Sequence, residues 1–333
     1  MDVHVGTPGF EAALSSELAD AAPRVLAPGV VAASPRAGAP LVDAAFSRQT
    51  LPAATEVTAE SVRALAEAAY AAVEGAIDRW PGTFVVHAFP APQPRDDDEP
   101  SALPGARLAH TRARVTRREG PRAAPTREDA GLAGRAALVA RELLALLGER
   151  RKRASRRYAS EIAPDAFGPD VLVAQLLFLA RARVIVSAGA PRALPRGGFD
   201  LAPWPAGVAP VADDRTPPSR AYKKLEEAWQ WMGAAPRAGE TCVDLGAAPG
   251  SWTFAAARRG ARVYALDRAP LAPVVARMPG VTAVEGNAFT YEPPRPVDWL
   301  LSDIICEPPR AIALVEHWLP RARDLVVTIK FKG

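Results

Sequence analysis

The stretch CVDLGAAPGSW, residues 242–252, decides how this chain is read. It opens as the end of a buried strand, with one aspartate, Asp244, set among apolar residues. A turn of Gly, Ala and Pro follows, and Ser251-Trp252 begins a helix. Downstream, SWTFAAARRG continues that helix, RVYALD reads as a strand, a short helical region leads to the strand VTAVEG, and VDWLLSDII is another strand. PRAIALVEHWLP is then a helix and DLVVTIKF a strand, while SRAYKKLEEAWQWM places a helix upstream of the quoted stretch. Strands alternating with helices in this way specify a parallel, doubly wound sheet. The strands are apolar without strict alternation, as strands covered on both faces are. Residues 219–333 are therefore expected to form an α/β, Rossmann-like domain.

Before it, residues 191–218 are dense in Pro and Gly and read as a linker. Residues 1–190 have a different texture, expected to be α+β. Phe10, Leu14 and Leu18 share one helical face. A stronger helix is expected over 57–80, where Val62, Leu65, Ala69, Val73 and Ile77 step by three and four, with Thr58 and Ser61 as N-cap candidates. TFVVHAF (83–89) reads as a strand, 90–105 as an exposed loop, 131–161 as a helix with a basic second half, and 171–189 as one or two buried strands.

Half of the residues are apolar, enough for sizeable cores in a chain of 333. Net charge is only +4, but just five of the 41 basic residues are lysine. Arginine suits phosphate through its planar fork of donors, although a GC-rich genome produces the same bias. Clustering therefore counts for more than number. Arg150, Arg151, Lys152, Arg153, Arg156 and Arg157 form one cluster, followed by Tyr158 as a candidate base-stacking residue; Arg107, Arg112, Arg114, Arg117, Arg118 and Arg122 form another. Either can contact phosphate or simply be a solvated face. The two cysteines, Cys242 and Cys306, have no metal-ligand or disulfide spacing and are expected to be buried free thiols in a reducing cytoplasm. No metal site is expected, and the four histidines show no ligand spacing. The first residues do not read as a signal peptide, and the longest apolar run, 171–180, is too short to span a bilayer.

A doubly wound sheet binds ligands beyond the carboxyl ends of its strands. The turn at 246–250 lacks the G-x-G-x-x-G pattern, having only Gly246 and Gly250. Asp244 disfavours a diphosphate and welcomes a cation, so a sulfonium- and ammonium-bearing nucleoside such as S-adenosylmethionine fits better. Asp267 ends the next strand, where an acid reaches ribose hydroxyls. A tight turn holding nothing stays open at this point.

DLGAAPGSW followed by RVYALD resembles the FtsJ-type RNA 2'-O-ribose methyltransferases, with flanks PPSRAYKKLEEAW, LLSDIICEPP and LVVTIKFKG. The resemblance covers residues 216–333 and is nearest to the bacterial large-subunit ribosomal RNA cytidine 2'-O-methyltransferases of the M type. GTPGFEAALSSEL near the start resembles the opening helix of that family, which implies an N-terminal THUMP-like RNA-binding region. The resemblance implies S-adenosylmethionine as cofactor and 23S ribosomal RNA, or a large-subunit assembly intermediate, as partner of a monomeric chain. It implies a catalytic group of Lys224, Asp303 and Lys330, with Lys330 the proton acceptor. It carries cofactor contacts onto Ser219, Ala248, Pro249, Gly250, Ser251, Asp267, Asn287 and Asp303, beside Asp244 and Gly246 from the turn itself. Asn287 stands for the family's usual Asp, and Ser251 for its usual Gly. The family's fourth catalytic residue, a Glu on a later strand, has no counterpart before Gly333, so the domain is expected to be truncated after its fifth strand. A second reading follows: a non-catalytic RNA-binding protein with a degenerate methyltransferase domain.

Overall fold

The computed structural model describes residues 1–34, 41–93, 127–195 and 198–330. The arginines at 107–122 lie outside them. The chain forms two compact units, Met1–Val208 and Ala209–Gly333.

The first unit holds two four-stranded sheets. One has the order β2-β3-β1-β4, from β1 (Asp2–Gly6), β2 (Arg24–Ala27), β3 (Val30–Ala33) and β4 (Ser47–Leu51). The other has the order β5-β8-β7-β6, from β5 (Thr55–Thr58), β6 (Phe84–Pro90), β7 (Leu172–Ala180) and β8 (Arg183–Gly189). Helix α1 (Glu11–Glu17) covers the first sheet through Leu14. Helices α2 (Val62–Arg79) and α3 (Arg127–Arg150) cover the second, burying Leu65, Ala69, Val73 and Ile77 against Leu143, Leu147, Phe84 and Phe178. The helix expected over 57–80 starts later. Thr55–Thr58 pairs with β8, and Ser61 caps the helix by accepting the Ala64 N–H at 3.1 Å. β-Branched Val57 and Thr58 suit the strand, and Ser61 marks the true N-terminus.

The basic helix expected over 131–161 breaks at Arg151, which leaves helical geometry before α4 (Lys152–Ser155). Much of the cluster is tied to α2. Arg150 lies 3.6 Å from Glu67, Arg151 bridges Glu74 and Asp78, and Arg157 donates to the Ile77 carbonyl.

The Pro- and Gly-rich stretch read as linker is built into this unit as far as Val208. Leu201 and Ala202 are buried, and the Asp200 carboxylate takes Arg192 Nε–H at 2.7 Å. Ala202 N–H donates to Gln49, whose amide donates in turn to Gln175 at 2.7 Å, all of it buried. Burial of that amide pair is tolerable because each member is satisfied.

The second unit is one parallel sheet of order β11-β10-β9-β12-β13. Its strands are β9 (Thr241–Leu245), β10 (Arg262–Asp267), β11 (Val281–Glu285), β12 (Val297–Ser302) and β13 (Ala322–Val327). The helices are α5 (Tyr222–Met232), α6 (Ser251–Arg258), α7 (Pro273–Ala276) and α8 (Pro308–Trp318). Central strands β9 and β12 are buried almost throughout. Cys242, Trp299 and Leu301 pack with α5 and α6, while Val243, Leu245 and Leu300 pack with Leu314 and Trp318 of α8. Successive strand residues thus feed opposite layers, which explains the unbroken apolar runs. Trp229 and Trp299 meet edge to face, their centroids 6.4 Å apart. The order in which strands are added reverses between β9 and β12, opening a crevice at their carboxyl ends.

Among the described residues no helix is long and apolar enough to cross a membrane, and no cluster of His, Cys, Asp or Glu is arranged to hold a metal ion. Cys242 is fully buried, with its thiol pushed up to about 12 by burial. Cys306, also expected to be buried, is only partly so. It lies in the loop after β12, beyond the strand that would have covered it.

Candidate active site

The quoted turn leaves β9 at the crevice. Gly246 has φ +73° and Gly250 φ +111°, the left-handed region that side chains rarely enter. A Cβ on Gly246 would lie 2.5 Å from Ile304 Cγ1, and one on Gly250 2.9 Å from Val275 Cγ1. The chain can therefore turn here only because both positions lack side chains.

Asp244 lies beneath the turn rather than on its surface, 1% exposed, and accepts the Thr253 hydroxyl at 2.6 Å. Burial pushes its carboxyl up to about 7; the Thr253 hydrogen bond opposes this, and the charges of Asp303 and Asp267 add to it. Asp244 therefore braces the turn from beneath, through Thr253, and does not line the crevice. Thr253 was not among the expected site residues. Its signal is its place in the first turn of the helix after Asp244.

Asp267, at the end of β10, accepts the Ala248 N–H and the Ala269 N–H, both at 2.9 Å. It thereby holds the turn in shape and stays half-buried at the crevice. The Ala248–Pro249 peptide beside it is cis. Asn287, just past β11, turns its amide oxygen onto the Phe289 N–H at 3.1 Å. Ser219 and Ser251 are engaged with each other, their hydroxyl oxygens 2.8 Å apart. Trp252 is buried, and its indole N–H donates to the Ala221 carbonyl at 2.9 Å.

Across the crevice, Asp303 follows β12, Lys330 follows β13 and Lys224 lies in the first turn of α5. Lys330 Nζ is 3.2 Å from Asp303 Oδ1 and donates to the Asp303 carbonyl at 2.7 Å. Lys224 Nζ is 3.2 Å from Asp303 Oδ2. One carboxylate is shared by two cations drawn from different elements. Lys223, the neighbour that sequence alone makes a rival, turns away to Asp213. Successive helix residues point about 100° apart, so only one of two adjacent lysines can reach the sheet edge. Lys330 and Asp303 are about one-fifth exposed and Lys224 about half.

The acceptors Asp244, Asp267, Asn287 and Asp303 thus gather at the carboxyl ends of β9, β10, β11 and β12. This donor-poor set suits a cationic nucleoside and not a diphosphate.

Fold, turn and crevice together are those of a Rossmann-like methyltransferase domain, and residues 217–326 match the model of the FtsJ-like methyltransferases. The chain is similar to ribosomal RNA large subunit methyltransferase M of Alkalilimnicola ehrlichii, 40% identical over 149 residues, or 43% of this chain and 40% of that one. The protein of the same name from Pseudomonas putida strain GB-1 is 37% identical over 183 residues, 52% of this chain and 48% of that one. The one from Laribacter hongkongensis is 38% identical over 164 residues, 47% of this chain and 44% of that one. The chain spans less than half the length of these relatives.

Proposed function

We propose that this chain methylates the ribose 2'-hydroxyl of an RNA nucleotide, with S-adenosylmethionine as the methyl donor. The observation that carries this reading is the convergence of Lys224, Asp303 and Lys330 beside a crevice lined with acceptors. The residues that would hold the cofactor are those of the 246–250 turn with Ser219, Asp267, Asn287 and Asp303; Asp244 braces that turn from below through Thr253. The cofactor supplies an electrophilic methyl group, and the chain must orient the hydroxyl and take its proton.

Lys330 suits the second task stereochemically. To act as base, Lys330 must first release its ammonium proton to solvent; its amine then has two N–H donors and one lone pair. The carbonyl and carboxylate of Asp303 occupy both donors, so the lone pair is left to face an incoming hydroxyl. Asp303 orients that base, and Lys224 balances the second oxygen of the carboxylate. Proton removal by a positioned base contributes about 10²–10⁴-fold to rate.

The substrate of finer definition is a cytidine of 23S ribosomal RNA, free or in a large-subunit assembly intermediate. The relatives' names support a large-subunit ribosomal RNA, and the cytidine rests on the resemblance of the flanking motifs alone. The first unit serves as a THUMP-like RNA-binding region of a monomeric chain, with exposed Lys152, Arg153 and Arg156 the cations of that cluster that α2 does not claim. A non-catalytic RNA-binding role gains nothing from the geometry, since three reactive side chains are gathered where such a role needs none.

The test is calorimetric titration with S-adenosylmethionine followed by labelled methyl transfer to ribosomal RNA. Lys330→Ala is expected to abolish transfer while sparing cofactor binding. Undiminished methylation in that variant removes Lys330 from the mechanism, and absence of cofactor binding by a folded chain refutes the proposal as a whole.

A further inference from the structure

Helix α5 carries Lys224, yet its N-cap residue, Ala221, offers no side-chain cap. The lead-in to the helix is gripped from outside instead. Ser251 Oγ accepts the Ser219 N–H at 2.9 Å and donates to the Ser219 carbonyl at 3.1 Å. It also lies 2.8 Å from Ser219 Oγ. A hydroxyl has one proton and two lone pairs. With its proton on the carbonyl, Ser251 accepts from both the Ser219 N–H and the Ser219 hydroxyl, and its capacity is full. Ser219 Oγ in turn accepts the Ala221 N–H at 3.2 Å, and one residue along α6 the Trp252 indole N–H holds the Ala221 carbonyl at 2.9 Å. Ser251 and Trp252 are each 4% exposed, so these bonds are shielded from water on the α6 side. The first two residues of α6 therefore fix residues 219–221, and the next turn of chain presents Lys224 to Asp303.

We propose that Ser251, together with Trp252, is a positioning residue for methyl transfer: it clamps the entry of α5 so that Lys224 meets Asp303, and it does not itself bind cofactor. This rests on the methyltransferase reading of the site. In Ser251→Ala the clamp loses its central hydroxyl, and α5 is free to shift.

The experiment compares wild type, Ser251→Ala, Lys224→Ala and the double variant in the full chain. In Ser251→Ala, kcat is expected to fall about tenfold or more, as misplacement of a catalytic group does. The calorimetric dissociation constant for S-adenosylmethionine is expected to stay within about twofold, the split that separates positioning from binding. On the Lys224→Ala background, Ser251→Ala is expected to cost under about twofold, because the two act through one contact. Multiplying losses, or a loss confined to cofactor affinity, overturns the clamp.

A readout independent of activity is the NMR signal of ¹³C-methylated lysines, tractable with five lysines in the chain. The Lys224 signal in Ser251→Ala is expected to move toward its position in Asp303→Asn, and an unmoved signal overturns the inference. An inactive wild type refutes methyl transfer but leaves the Lys224 signal to decide the clamp. If Ser251→Ala does not fold, Trp252→Phe, which removes the N–H and keeps a ring, is read in the same way.

Discussion

Asp244→Asn is expected to change how folding stability depends on pH. In the unfolded chain an aspartate ionises near its ordinary 3.8, whereas in the folded protein burial pushes Asp244 up to about 7. Between those values the folded state keeps a proton that the unfolded state has released. The stability contributed by the neutral carboxyl is therefore full below about pH 4 and is lost as pH rises through about 7. At about 1.4 kcal/mol per pH unit, the loss amounts to about 4 kcal/mol. Asparagine cannot ionise, and its oxygen still accepts the Thr253 hydroxyl. Its buried NH₂ costs a pH-independent amount of about 1–3 kcal/mol if unpaired. Relative to wild type, the variant should be slightly less stable near pH 4 and should gain on it steadily to pH 8. The assay is urea unfolding at half-unit pH steps, followed by tryptophan fluorescence. Five of the seven tryptophans lie in the second unit, so the signal reports the unit that contains Asp244. Parallel stability curves for the two proteins would refute the reasoning, because they would mean that Asp244 is ionised in the folded state throughout.

Asp303→Asn should cut methyl transfer at least about 100-fold by disorienting the base. It should lower thermal stability modestly: the pair with half-exposed Lys224 contributes about 0–1 kcal/mol, and the pair with Lys330, about one-fifth exposed, costs more to break. Gly250→Ala should destabilise the second unit by about 1–3 kcal/mol, from a side chain forced to φ +111° and pressed against Val275; denaturant titration reads this directly. Gln175→Leu should destabilise the first unit by about 1–3 kcal/mol, because it strands the buried Gln49 amide and the Thr50 carbonyl. The same titration, followed by circular dichroism, checks it.

The second unit was legible in the sequence because its central strands are apolar on both faces and β9 to β12 each end at or beside a Gly, Asp or Ser. The order of the strands was not legible, since a parallel doubly wound sheet admits more than one order. Which lysine faces Asp303 was not legible from composition, since it depends on the rotational phase of α5, which Ser251 and Trp252 hold from a separate helix. Asp244 was legible as a charged residue in the turn, but its burial was not: that depends on Thr253 closing over it. The stretch 191–208 misled because proline and glycine set backbone shape without fixing exposure. Ala202 N–H bonds Gln49, the Asp200 carbonyl accepts the Thr50 N–H, and Leu201 packs in one cluster with Val85, all more than a hundred residues away in sequence. Val57 and Thr58 fell inside the helix expected over 57–80 because Thr58 and Ser61 are equal cap candidates in sequence, and only Ser61 caps in the structure.

The Asp303 carboxylate binds a lysine 79 residues before it and another 27 after it. The loops closed by those contacts are long, and long loops close late in folding. A partly folded second unit, whether fraying at α5 or not yet carrying β13, holds an aspartate with one cation or none. Chemistry at this centre is thus conditional on the cooperative closure of the entire sheet. The Asp303 centre is complete only once both ends of the unit have docked, and its loss is the first symptom to expect when either end begins to open.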